Sequence, residues 1–288
     1  MQKKIAIIGA TGMLGKPVVE AFIRQGYVVT ALVRNLSHAK STLPEGVRLI
    51  QGDIRQTEDI KTLLADNDTL YLNLNIKQNE KPGDFHTEAQ GLANVLQVAK
   101  ESNLKRIGFI SSVVMNYQGM NGFHWWVFTL KQKAVQSIKD SGIPYTIFYP
   151  STFMENFHHT YKRGNRILLA GKSKHKMFFI AADDYAKQVV RSFDLLTTEN
   201  REYVVQGPEG FTAEEAAREF VQHHTKAKLS IAKAPLGMLK FIGSFSQQIN
   251  YGAHIIEALN NYPEKLEAQR TWQELGEPAI TLKDFAQR

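Results

Sequence analysis

Apolar residues in the first half of the chain follow two rhythms. Ile5, Ile7 and Ile8 form the short continuous run that a parallel strand covered on both faces requires, and Tyr27 to Val33, Val47 to Gln51 and Thr69 to Leu74 repeat it. Between these runs the spacing becomes helical. Met13, Leu14, Val18, Val19, Phe22 and Ile23 share one face of a helix predicted over Met13 to Gln25, with Gly26 as its stop. A second helix opens at Thr57 with Glu58 and Asp59 in its first turn, and Phe85, Ala89, Leu92, Leu96 and Ala99 mark the buried stripe of a longer one. Strands over Arg106 to Ile110 and Tyr145 to Tyr149 flank a helical stretch, Val127 to Val135. This alternation predicts an α/β chain built on a doubly wound parallel sheet.

After Glu209 the pattern weakens. Phe211-Thr212-Ala213-Glu214-Glu215 predicts a capped helix start, and Ala234 to Tyr262 reads as mostly helical. Its Met238, Phe241, Phe245 and Tyr251 are expected either to form the core of a small domain or to line an apolar pocket.

A chain of 288 residues can hold one α/β domain and a smaller appendage. Its net charge of +7 raises the question of a polyanionic partner. The basic residues are scattered, however, and the densest run, Lys172 to Lys176, follows Gly171 as a solvated turn, so no nucleic acid is expected. No apolar run reaches membrane-spanning length, and the short one after Lys4 is read as a strand rather than a leader. The lack of cysteine excludes disulfides, thiolate metal ligands and a cysteine nucleophile, and suits the cytoplasm. His158-His159 and His223-His224 lack supporting carboxylate spacing, so no metal is expected.

The candidate chemistry starts at the join between the first strand and helix. Gly9, Gly12 and Gly15 permit a sharp turn, a close ligand approach and tight helix packing respectively, and with Thr11, Met13 and Leu14 they present a helix N-terminus to an anion. In a strand-turn-helix context the usual anion is a dinucleotide pyrophosphate; the alternative is a glycine turn that binds nothing. Arg34 stands where NAD-preferring chains end the second strand with an acid, and an arginine there favours the 2′-phosphate of NADP. Asn35, Ser37 and His38 could extend that site. Asp53 and Ile54 follow the third strand on the adenine side, Asn73, Leu74 and Asn75 follow the fourth along the cofactor, and Ser111 and Ser112 end the fifth.

These residues resemble the atypical short-chain dehydrogenase/reductases, and within them the NmrA-like group of NAD(P)-binding proteins. Gly9 to Gly15 looks like the family's GxxGxxG turn, Ala31 to Asn35 like its NADP-leaning strand end, and Gly52-Asp53 like its adenine-side pair. Ser141 to Asn156 is similar to the segment that closes the nucleotide domain, placing Tyr149, Pro150 and Phe153 near the cofactor, and Phe178 to Ala186 resembles a later strand-to-helix stretch. The resemblance implies a Rossmann-type domain over residues 1–150, rejoined by 182–206, and a smaller C-terminal α/β substrate domain from 151–181 and 207–288. A small-molecule acceptor is expected in the cleft between them, in a monomer or dimer.

Two departures bear on mechanism. The wider superfamily uses Tyr-x-x-x-Lys, and four residues before Lys131 stands Val127; Tyr149 replaces an arginine common before the proline. Members of the group often lack the tyrosine, and some sense the cofactor while others reduce quinones. The resemblance gives Lys131 a place at the nicotinamide ribose, with Tyr117, Tyr149, Ser112 and His124 as candidate substitute proton donors. The expectation is an NADP(H)-dependent oxidoreductase passing hydride to a quinone-like or aromatic acceptor, slow with simple ketones and sugars. The alternative is a non-catalytic NADP(H) sensor acting through a protein partner.

Overall fold

The computed structural model describes residues 3–195 and 198–288. Its first half alternates β1 (Lys4–Ile8), α1 (Gly15–Arg24), β2 (Val28–Val33), α2 (Leu36–Thr42), β3 (Arg48–Gln51), α3 (Thr57–Leu64) and β4 (Thr69–Leu72). Then come α4 (Leu92–Glu101), β5 (Arg106–Ile110), α5 (Trp126–Lys139) and β6 (Tyr145–Pro150). The Rossmann-type parallel sheet expected from the sequence is present.

The predicted helix from Met13 instead starts at Gly15. Met13 and Leu14 belong to the turn and leave the buried stripe to Val18, Val19 and Phe22. The fourth strand stops at Leu72, leaving Asn73 to Asn75 beyond its end. A third difference has chemical weight. A π-helical turn over Thr87–Gly91 precedes α4 and shifts the predicted stripe: Phe85 and Ala89 are only half-buried, whereas Glu88 is 1% exposed.

Past β6 the chain makes α6 (Asn156–His159), β7 (Lys162–Arg163), β8 (Arg166–Ala170) and β9 (Met177–Phe178). It returns through α7 (Ala182–Leu195), which packs on α1, and β10 (Arg201–Val205), which joins the sheet beside β6. The seven strands lie in the order β10-β6-β5-β4-β1-β2-β3, all parallel, so the direction of winding reverses between β1 and β4. Ligands of such sheets bind beyond the carboxyl ends of the strands at that reversal.

The chain continues through β11 (Gly210–Phe211), α8 (Ala213–His223), β12 (Ser230–Ala234), α9 (Leu236–Gly243), α10 (Gln247–Asn261), α11 (Gln269–Leu275) and α12 (Leu282–Gln287). The predicted cap at Thr212 is present as a reciprocal pair with Glu215. Phe157, Phe179, Phe220 and Phe285 centre a core separate from the two that cover the large sheet. Among the described residues no helix is long and apolar enough to cross a membrane.

Buried polar contacts tie the crossings together. Asp184 Oδ2 accepts from the amides of Ala279 and Ile280 at 2.9 and 2.8 Å. Glu264 accepts from Ser151 Oγ at 2.9 Å and Gln206 Nε2 at 2.6 Å, joining the ends of β6 and β10 to the segment after α10. Burial pushes the Glu264 carboxyl up to about 7, against the pull of the donors facing it. The folded state therefore holds a proton there that the unfolded chain releases near its ordinary value of 4.5. Stability from this group is fully present below pH 4.5 and is lost as pH rises through about 7, by at most about 3 kcal/mol. Thermal melts of Glu264→Gln should show a flatter profile than wild type between pH 5 and 8; parallel profiles would contradict this assignment.

Candidate functional site

The glycine turn is held by backbone contacts. Gly9 has φ +85°, and a Cβ on it would collide with the carbonyl oxygen of Asn73; one on Gly15 would strike the Gly9 carbonyl. Asn73 Nδ2 donates to the same Gly9 oxygen at 3.2 Å. Gly12 differs, since a Cβ there would keep 3.4 Å from protein and project into the open turn. The first turn of α1 has no side-chain cap and no acid, so its leading amides have no side-chain acceptor.

From this turn a cleft of about 460 Å³ runs along the carboxyl ends of the strands. Gly9, Thr11, Gly12, Met13, Leu14 and Arg34 line one end; Asn73, Leu74, Asn75, Ser111 and Ser112 line its middle; Lys131, Pro150 and Phe153 line the far end. The candidate residues from distant parts of the chain thus meet on one surface. Arg34 is exposed and makes no ion pair among the described residues, while Asn35 caps α2 by accepting from the His38 amide at 3.0 Å. A larger hollow of about 710 Å³ lies at the opposite, amino-terminal edge near Lys4, Asp66 and Asn103, away from the glycine turn.

Lys131 reaches the cleft from α5, and its Nζ pairs with Glu88 Oε1 at 2.7 Å. Their side chains are 12% and 1% exposed, so the pair is screened from water, and Glu88 Oε2 has no hydrogen-bond partner among the described residues. Burial pulls Lys131 down, but Glu88 outweighs it and holds the ammonium above the ordinary lysine range. Burial pushes Glu88 up, and Lys131 offsets that only in part. A lysine held this way is a fixed cation rather than a solvated surface residue.

Several of the expected residues lie away from this cleft. Tyr117 is buried against Phe123 and does not line the cleft. Tyr149 also faces away, because alternation along β6 turns it toward Glu202, to which its hydroxyl donates at 2.6 Å. His124 is exposed and off the cleft. Ile54 is a core residue against Gly91, and Asp53 caps its own turn by accepting from the Arg55 amide at 3.0 Å; neither lines the cleft. Gly15 acts beneath the surface, through packing. Of the aromatic and methionine group after Ala234, Tyr251 alone joins the lining, while Met238, Phe241 and Phe245 are 48%, 70% and 81% exposed.

Two residues were missed or undervalued. Glu88 lies in phase with Leu92, Leu96 and Ala99, and a carboxylate on an apolar stripe is a signal the stripe chosen from Phe85 and Ala89 concealed. Tyr251 comes from α10 with Ile255 and Leu259, which close the far end of the cleft.

Comparisons with known proteins agree with this architecture. The photosystem II assembly factor Ycf39 of Guillardia theta is 27% identical over 259 residues, covering 88% of this chain and 81% of that protein. Among solved structures, a nucleoside-diphosphate-sugar epimerase of Staphylococcus aureus superposes with a TM-score of 0.78 at 19% identity over the whole of both chains. An NADPH-dependent quinone oxidoreductase of Escherichia coli, solved with NADPH, gives 0.74 at 19% identity over 98% of each chain. A sequence profile of the NmrA-like family matches residues 1–279, and the chain belongs to that family.

Proposed function

We propose that the chain is an NADP(H)-dependent oxidoreductase that reduces a small quinone-like or aromatic acceptor. The observation that carries it is the convergence, along one cleft, of an unobstructed glycine turn, an arginine with no ion pair among the described residues and a buried lysine. The turn fits a pyrophosphate, because Gly12 leaves space that any side chain would fill while the uncapped start of α1 offers amides. Arg34 fits a 2′-phosphate, being exposed, cationic and at the end of β2. The bound reduced nicotinamide would supply hydride to the acceptor. Lys131 would then orient the nicotinamide ribose, and Tyr251, Ile255 and Leu259 would exclude water over the acceptor. The reductase named among the solved structures supports this reading.

A second reading, a dinucleotide sensor without turnover, is favoured by one observation. Val127, fully buried, occupies the superfamily's tyrosine position and cannot give a proton.

In calorimetry, wild type should bind NADPH and Gly12→Val should not, with the circular dichroism spectrum unchanged, since Gly12 has no positive φ for a side chain to strain. Absence of dinucleotide binding by wild type would remove both readings.

Arg34→Ala should weaken NADPH by about 1.5 to 3 kcal/mol while leaving NADH little changed. Equal losses for both would show that Arg34 does not read the phosphate.

A further inference from the structure

Reduction of a carbonyl or quinone oxygen needs a proton as well as a hydride, and the donor must lie within reach of the oxyanion as it forms. The superfamily's position is occupied by Val127, and Tyr117, Tyr149 and His124 lie off the cleft; Ser112 lines it, but an aliphatic hydroxyl is a far weaker acid than a phenol. Tyr251 is the one tyrosine on the lining among the described residues, and it shares the far end with Lys131. We infer that Tyr251, brought in by a helix of the C-terminal segment, is the proton donor of this cleft, with Lys131 as its neighbouring cation. The inference rests on the oxidoreductase reading above.

The ring is held by aromatic contacts. Tyr251 meets Trp125 edge-on at 4.9 Å, and Trp125 stacks on His254, one turn further along α10, at 5.3 Å and 15°. Trp125 immediately precedes α5, the helix that carries Lys131. The stack therefore keys the phenol-bearing helix to the start of the lysine-bearing one. In the superfamily both groups ride on one helix; here the pair is assembled across two.

Burial raises the Tyr251 phenol above its ordinary value, so it is protonated at neutral pH; the Lys131 cation acts in the opposite direction and favours the phenolate left after transfer, while Glu88 and Glu80 add to the rise. Glu88 matters because it keeps Lys131 charged in a buried place. The balance is simple. Hydride from a bound reduced nicotinamide, which would be oxidised by two electrons as its C–H bond breaks, would add two electrons and one hydrogen to a quinone and leave a hydroquinone monoanion with one anionic oxygen. The Tyr251 O–H bond breaks, an O–H bond forms on that oxygen, and the phenolate beside Lys131 is reprotonated from solvent.

The test follows NADPH oxidation with a panel of quinones for wild type and Tyr251→Phe, a change that removes one oxygen and keeps the ring against Trp125. NADPH affinity should be unchanged by calorimetry, while kcat/KM falls about 10²-fold or more. The wild type should show a solvent deuterium isotope effect on kcat/KM that the variant changes. Wild-type turnover matched by Tyr251→Phe would overturn the assignment and leave the oxidoreductase reading standing. Wild type that binds NADPH yet oxidises it with no acceptor would overturn both, and the sensor reading would replace them.

Discussion

The approach of the Gly9 backbone to Asn73 is the constraint on which the rest of the molecule depends. β1 and β4 are neighbours whose chains leave in opposite directions around the sheet, and the cleft exists because nothing fills the space between those departures. The Gly9 carbonyl receives the Asn73 amide side chain and sits against Gly15, so strand end, turn and helix start share one tight contact. Packing there leaves no freedom to adjust. Gly12, three residues before the start of α1, is left as the position whose missing side chain serves the open space instead of the fold.

Most of the sheet was legible because strand and helix impose different periods on the apolar residues, and because three glycines announce one particular turn. Arg34, Asn73 and Ser112 reach the cleft by position alone, since strand ends in such a sheet open onto it. Glu88 was hidden by a π-helical turn: one inserted residue rotates the face before Leu92, and a periodicity read from Phe85 lands on the wrong side. Tyr149 was misplaced for a related reason. Its place next to Pro150 suggested the site, but in a strand adjacent side chains point to opposite faces, and Glu202 on the neighbouring β10 claims its hydroxyl. The C-terminal helices were illegible in another way. Apolar residues mark both a core and an exposed face, and α9 and the turn after it carry Phe241 and Phe245 outward while α10 carries Tyr251 inward.

The pairing of Lys131 with Glu88 shows how the chain makes a buried cation tolerable. Burial works against the charge of an ammonium with 12% of its side chain exposed, and Glu88, from a different helix, supplies the counterion that offsets it. The unpartnered second oxygen of Glu88 marks the cost, since a fully satisfied carboxylate would be more stable. Such incomplete satisfaction concentrates at working sites and is offset by packing elsewhere.

The Asp184 contact with the amides of Ala279 and Ile280 bridges 96 residues of chain, and it has a consequence for biogenesis. On a ribosome adding about 5 to 20 residues per second, α7 emerges roughly 5 to 20 s before the segment that satisfies its buried carboxylate. During that interval β10 also lacks its Gln206 and Glu264 fastening, so one edge of the sheet is held only by β6. The nascent chain thus spends seconds with the β10 edge of its sheet uncovered, the kind of edge that invites pairing with another chain, until α11 packs against it.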